Sequence, residues 1–494
     1  MSLSKKLDNQ QFPLFWIGLG AVFSCSVALR FWGLSRFNTL VFDEIYYAKF
    51  ANDYLTRTHF FNAHPPLSQY LIAIGMWVGS HLSFDHDSVN GLTGSLRSTW
   101  SYRWLNALTG SFIPLVVAGI AYQLSYRRRY AFIASLFAAS DGLFLVESRY
   151  ALNNVYLVIF GLLGQWFLLF GLQRHGRRRW FWLALAGIGF GASAAIKWNG
   201  LWFLFGAYLI WIASWAIRWV QLQRKAAARD EGEQAEIQTP LQNLTQLNVW
   251  HILFYLAIIP VVVYSLAWIP HLQLNPTPGF WEIQKQILEY HERIGDGPKV
   301  HPYCSHWYTW PWMIRPVAYF YGTAQSASEA LSVMGPALPA GVGTVLYDVH
   351  AMGNPALSWL STAAIVILLS VLARQIWKSS QHLNVSRFGG GFPTADTWIA
   401  LYLVLNWLAN LLPWVKVTRC TFLYHYMGAS VFAGLAIAWL VDRWLSSYRR
   451  ELRALGVSII FLILLAFVFW MPIYLGLPLS PESFRLRMWF RSWI

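Results

Sequence analysis

Residues 67–82 read LSQYLIAIGMWVGSHL. Whether this run crosses a membrane decides the topology of everything that follows it. At 16 residues it falls short of the roughly 20 that span a bilayer core. Counted as a span, it would turn the loop Arg127-Arg128-Arg129 and every later basic loop to the outside, against the tendency of Lys and Arg to stay cytoplasmic. It is therefore expected to be an interfacial or partly buried helix.

Outward from this segment the chain reads as a series of apolar runs. The whole sequence is 494 residues, 56% hydrophobic and only 12% charged, about half the charge of a soluble chain. Eleven spans are expected, at about 13–34, 100–124, 130–146, 150–172, 180–196, 201–220, 250–270, 357–377, 396–413, 423–444 and 454–474. So many spanning segments without strand alternation can satisfy their backbones only as helices. The fold expected is an all-α polytopic membrane protein. Lys5 and Lys6 precede the first run, which is too long for a signal-peptide core and is kept as a helix.

The net charge of +15 does not point to nucleic acid, because the cations sit in short connections where they set topology. One set of loops carries Arg127 to Arg129, then Arg174 with Arg177 to Arg179, then Arg218, Arg224, Lys225 and Arg229. Farther on it carries Arg374, Lys378 and Arg387, then Arg443, Arg449, Arg450 and Arg453. This set and the N-terminus are expected in the cytoplasm, and the C-terminus outside. Two large outer loops follow, 35–99 and 271–356. The cytoplasmic connection 221–249 is polar and includes ARDEGEQAEIQ (228–238). Cys25, Cys304 and Cys420 form no metal-binding spacing; Cys304 and Cys420 both fall outside, where a bridge is open but not required.

Chemistry is expected where acids and bases meet the outer interface, since charge there is costly unless used. Asp43 and Glu44, in VFDEIYYAKFANDYL (41–55), follow the first span. Asp43 suits either a helix cap or a general base. His64 precedes the Pro65-Pro66 pair and could contact phosphate, position an acceptor or only bond its loop. Arg103, just inside the outer end of the second span, either snorkels or meets an anion, and a lipid phosphate is the anion most available at that depth. Glu147 and Arg149 share a short outer turn, and Lys197 stands at another helix boundary as a point charge for phosphate. The loop HPYCSHWYTWPWMIRPVAYFY (301–321) is dense in rings that match sugar faces or a membrane belt; Trp307, Trp310 and Arg315 are its candidates. Lys416, Arg419 and His425 lie near the outer end of the tenth span. No GxGxxG, P-loop or HExxH is present, so nucleotide hydrolysis and zinc proteolysis lose support, and no metal site or certain cofactor is expected; a divalent-cation requirement stays open.

Carried by these residues, the chain resembles the protein O-mannosyltransferases of the GT-C glycosyltransferase class. The resemblance runs through VFDE (41–44), YYAKFANDYL (46–55), FFNAHPPL (60–67), the Arg103 segment, ESRYAL (147–152), IKWNGL (196–201), HWYTWPWMIRP (306–316), GNPALSWL (353–360), TFLYHYM (421–427) and PIYLGLPLS (472–480). It implies one GT-C transmembrane domain over 1–494, in the inner (plasma) membrane, with the active site on the outer face. It implies inverting transfer of mannose from a polyprenyl-phosphate-mannose to Ser or Thr hydroxyls of secreted or membrane protein, and the secretion translocon is left open as a partner. It implies that Asp43 and Glu44 are catalytic and Arg103 essential; Lys197 and Arg419 are expected, from their own positions, as further candidates for the departing phosphate. His64, Glu147, Arg149, Trp307, Trp310, Arg315 and His425 are left for acceptor or sugar contacts. The loop 271–356 is too short for the soluble β-trefoil domain of eukaryotic members, so the chain resembles a bacterial one. The family usually has aspartate where this chain has Asn154, which is expected to be a structural or hydrogen-bonding residue. Two other classes compete: a transferase with a lipid or glycan acceptor, such as an aminoarabinose transferase, and a transporter or flippase, which should show inverted repeats and broken mid-membrane helices.

Overall fold

The computed structural model describes residues 3–82, 85–228, 239–324, 343–381 and 394–494. The deciding segment is a 14-residue helix, α3 (Leu67–Ser80), about 21 Å long at 1.5 Å per residue and too short to cross. It follows α1 (Leu3–Phe31) and α2 (Glu44–Thr56), both in chain order before it. A two-residue ribbon, β1 (Val89–Asn90) with β2 (Arg97–Ser98), leads into α4 (Thr99–Ser125). Ser98 caps α4 by accepting from the Ser101 amide.

The bundle continues through α5 (Arg128–Ala139), α6 (Gly142–Arg149), α7 (Asn154–Gln173), α8 (Gly176–Ala194) and α9 (Leu201–Ala228). A further span is built from α10 (Val249–Leu253), a π turn (Phe254–Ile258) and α11 (Ile259–Ala267), and runs on into α12 (Ile269–Leu274). Then come α13 (Phe280–Arg293) and the hairpin β3 (Val317–Ala324) with β4 (Val345–Ala351). The last helices are α14 (Pro355–Gln381), α15 (Ala395–Leu411), α16 (Met427–Leu445), α17 (Arg450–Leu475) and the short α18 (Pro481–Arg485).

Among the described residues nine helices are long and apolar enough to cross a membrane, or ten when one bent pair is counted. Eleven were expected, and both differences have a physical cause. The run 130–146 is not one span but α5 and α6, bent by 58°. The break falls at Ser140-Asp141, where Asp141 Oδ1 caps α6 by accepting from the Leu143 and Phe144 amides at 2.8 and 3.4 Å. The run 180–196 is helical as α8, but three arginines open that helix and leave it a short uncharged stretch. It packs all the same: a Cβ on Gly189 would lie 2.8 Å from the Gly164 nitrogen, so α7 and α8 touch almost backbone to backbone.

The two ends of the bundle differ in chemistry. At one end Arg127 and Arg129 both pair with buried Asp442 near the end of α16, at 2.5 and 2.7 Å. At the other, Cys304 and Cys420 are joined as a disulfide, with their Cα atoms 5.1 Å apart. Among the described residues of 271–356 the strands are β3 and β4 alone, so the membrane part is helical and these strands lie in the long connection before α14. Most of the acidic stretch 228–238 lies outside the described residues.

Candidate active site

Two adjacent acids open α2 and meet different surroundings. The Glu44 carboxylate accepts four hydrogen bonds: Oε1 from Arg103 Nε (2.8 Å) and the Ala151 amide (2.7 Å), Oε2 from Arg103 Nη2 (2.6 Å) and the Val41 amide (2.8 Å). Arg103 gives its remaining donors to the carbonyls of Leu34, Phe37 and Thr39 at 3.1, 2.9 and 2.8 Å. All five guanidinium donors are thereby used, and both side chains are wholly buried. Arg103 was expected to hold phosphate and Glu44 to share catalysis. Instead they staple the 34–41 loop, the start of α2, α4 and the 150–151 turn, and neither lines the cavity described next.

Asp43 lines it. The residue occupies the cap position of α2, yet its side chain accepts no helix amide. Among the described residues no donor lies within hydrogen-bonding reach of its carboxylate, which faces a cavity of about 1260 Å³. Burial pushes the Asp43 carboxyl up to about 6, against the pull of Lys197.

Lys197 sits on the same cavity, in the turn between α8 and α9. That turn is tight: a Cβ on Gly200 would lie 2.3 Å from the Ser193 carbonyl oxygen. Lys197 Nζ donates to Asn154 Oδ1 at 3.0 Å and lies 5.4 Å from the centre of the Tyr424 ring. Burial lowers its pKa to about 8, while Asp43 and Glu147 help to keep its proton.

Arg419 spends one donor on the Cys420 carbonyl (3.0 Å) and lines the cavity with Lys416. His64 and His425 line it too. Burial, first, and nearby cations hold His64 well below its ordinary range, so it is neutral at pH 7.

Other expected contacts lie elsewhere. Arg149 donates to the carbonyls of Leu29, Arg30, Trp32 and Gly33 (2.7–3.1 Å), closing the C-terminal end of α1. Arg315 holds the carbonyls of Pro302, Ser492 and Ile494. Trp310 is buried behind His425, ring centres 5.9 Å apart, and Trp307 packs against the core; neither lines the cavity. Glu147 is buried one step away: it accepts from Asn154 Nδ2 at 3.1 Å and from the Tyr319 hydroxyl.

The cavity also has members that sequence reasoning missed, chiefly His291, Tyr47 and Tyr424. His291 Nε2 lies 3.0 Å from the Ala63 carbonyl, which can only accept, so Nε2 carries the proton. Its ring is 5.1 Å from that of His64. A signal existed: His291 is four residues past Ile287 and eight past Ile283, the two buried residues of α13, so it shares their face.

From this polar end the cavity continues between α9 and the α10–α11 span along Leu204, Phe205, Tyr208, Leu256 and Val261. Phe205 and Val261 are 39% and 63% exposed, so this end opens sideways on the bundle's outer surface. One chamber therefore joins an unpaired carboxylate, a cationic cluster, neutral imidazoles and a laterally open apolar groove. It suits an anionic lipid with a polar head.

The helical membrane bundle has the fold of the GT-C class of membrane glycosyltransferases, as its likeness to a solved member shows. The fold aligns with a solved protein O-mannosyltransferase, the Pmt1–Pmt2 complex of S. cerevisiae bound to the sugar donor, at a TM-score of 0.74, covering 97% of this chain and 92% of that one at 14% identity. Residues 20–275 match the family profile described as dolichyl-phosphate-mannose-protein mannosyltransferase, and residues 276–493 match the C-terminal four-transmembrane region of protein O-mannosyltransferase. The chain belongs to the dolichyl-phosphate-mannose–protein mannosyltransferase family. Among its relatives, the polyprenol-phosphate-mannose–protein mannosyltransferase of Mycolicibacterium smegmatis is 25% identical over 515 residues, 92% of this chain and 88% of that protein. The Corynebacterium glutamicum protein of the same name is 24% identical over 488 residues, 87% and 81% of the two chains.

Proposed function

We propose that this mannosyltransferase moves mannose from a polyprenyl-phosphate-mannose to Ser or Thr hydroxyls of secreted or membrane protein, by a single displacement that inverts the anomeric carbon. The acceptor oxygen attacks that carbon as Asp43 takes its proton, and the bond from carbon to phosphate oxygen breaks with its electron pair going to the phosphate. The lipid phosphate gains a negative charge in the step. Lys197 and Arg419 face that developing charge in a partly dehydrated chamber, where fixed cations count for most. Phosphate leaves readily, so no strong general acid is required. The apolar groove between α9 and α11 takes the start of the polyprenyl tail. Asp43, rather than Glu44, is the base because only its carboxylate is unspent.

The observation that carries this reading is the open Asp43 carboxylate sharing a cavity with Lys197. Loop charge and the Cys304–Cys420 bridge, which belongs to an oxidising compartment, support an outer-face site in the plasma membrane with the N-terminus cytoplasmic. An acceptor still extended, as it leaves the secretion translocon, fits a site on that face. Among the described residues no group of three or more His, Cys, Asp or Glu is arranged to hold a metal ion.

The test is transfer of labelled mannose to a Ser/Thr peptide by purified protein, with release of free polyprenyl phosphate measured alongside. Equal release of both products is expected. Transfer to a lipid or glycan but not to peptide would overturn the acceptor assignment, and binding without turnover would favour the transporter class.

A further inference from the structure

Tyr319 reaches both halves of the site from outside it. The residue lies on β3, where the pairing with β4 slips between Ala318 and Phe320, so Tyr319 is the extra residue of a bulge. A bulge re-aims a side chain, and Tyr319 is buried inside the molecule while Tyr321, two residues on, is exposed.

Its ring stacks on Phe42, with centres 4.2 Å apart and planes 9° from parallel. Phe42 immediately precedes Asp43 and has φ +52°, a conformation a bulky side chain adopts only when its surroundings compel it. Phe422, Tyr424 and His301 close the box edge-on, at 6.3, 6.1 and 6.4 Å. The stack thus fixes the turn that aims Asp43 into the cavity.

Its hydroxyl donates to Glu147, whose other oxygen accepts from Asn154 Nδ2. With its nitrogen committed, Asn154 must turn Oδ1 the other way, onto Lys197. Glu147 also acts on Lys197 through space, beside Asp43 and Arg419. Without the hydroxyl, one Glu147 oxygen has no donor among the described residues, and that carboxylate is free to turn toward the ammonium and neutralise it.

We propose that Tyr319 is a positioning residue with two arms: its ring holds the Phe42 turn behind Asp43, and its hydroxyl restrains Glu147 so that Asn154 presents Lys197 to the donor phosphate. This rests on the roles proposed above for Asp43 and Lys197, and it assigns one residue of the outer hairpin to both.

The arms separate by substitution. Steady-state kinetics would be measured on the full chain in lipid nanodiscs, with polyprenyl-phosphate-mannose and a Ser/Thr peptide, over a range of pH. Tyr319→Phe removes one hydrogen bond to a charged group and keeps the stack. Donor KM should rise about five- to tenfold, more than kcat falls, with the acid limb of the pH profile in place. Tyr319→Leu loses both arms and should also lower kcat and move that limb. Asn154→Ala should raise donor KM like Tyr319→Phe, and the double variant Tyr319→Phe/Asn154→Ala should be little worse than the worse single one, because both act through one chain of contacts.

An unchanged donor KM in Tyr319→Phe, or KM effects that multiply in the double variant, would overturn the hydroxyl arm. A Tyr319→Leu enzyme that folds and has the kcat and pH profile of Tyr319→Phe would overturn the ring arm. If Tyr319→Leu does not fold, the ring arm is read instead from Phe42→Leu, which must lower kcat without raising donor KM; a normal kcat there rejects it. Active Asp43→Asn protein would sink the base assignment while leaving the donor-KM coupling of Tyr319 and Asn154 intact, so the two failures are distinguishable.

Discussion

Asp43 and Glu44 are neighbours of the same chemistry, and the fold treats them oppositely. Glu44 is saturated by four donors and sealed against Arg103, whereas Asp43 has a cavity in front of it and no donor of its own. A carboxylate that already accepts four hydrogen bonds has no lone pair left to offer a substrate. One left half-dehydrated and unpaired is poised to take a proton. In this dipeptide one member builds the turn and the other faces the cavity.

The sharpest way to break that comparison is Asp43→Asn. It keeps size and polarity but cannot accept a proton, so kcat should fall by roughly 10²–10⁴ while donor binding and thermal midpoint hold. Near-normal transfer would reject the base.

Lys197→Ala comes next. Loss of a charged phosphate contact should raise donor KM by roughly 10- to 100-fold, with Lys197→Arg recovering part of it. A donor titration that matches wild type would move the phosphate site elsewhere.

Glu44→Gln and Arg103→Ala should act through stability instead. Breaking a buried pair costs about 3–5 kcal/mol, read as a lowered unfolding midpoint, with donor KM close to normal in whatever protein remains folded. A folded Arg103→Ala protein whose donor KM alone rises would restore Arg103 to the phosphate site.

The mildest effect is one of pH. Burial raises the Asp43 carboxyl to about 6, so below that value the base is protonated and turnover falls, while above it turnover reaches a plateau. Burial lowers Lys197 to about 8, so donor binding should weaken as pH rises past that. A rate–pH profile in Asp43→Asn that retains the acid limb would assign that limb to another group.

The spans were legible in the sequence because hydropathy and loop charge are local properties, and α3 was legible because its length alone forbids crossing. The 58° bend was within reach: Ser140-Asp141-Gly142 is a polar cap signature inside an apolar run, read through in favour of continuity. Asp43, Lys197 and Arg419, expected to share a layer because each stands near the end of an apolar helix, line one cavity, and His64 and His425 line it with them. Arg103 stands in the same kind of position and was grouped with them for that reason. What removes it is Glu44, 59 residues earlier, together with three carbonyls of a loop whose path no local pattern records. Arg149 and Arg315 were misread in the same way, since carbonyls gathered by tertiary folding leave no mark on composition.

The groove between α9 and α11 opens on the flank of the bundle rather than on its face. A substrate that enters there arrives by diffusion within the bilayer plane, so the concentration that governs its occupancy is a mole fraction among lipids, not a molarity in water. Diluting the carrier with inert phospholipid at constant total amount should slow the enzyme as effectively as removing carrier. Two membranes holding equal numbers of carrier molecules but different areas would run it at different speeds.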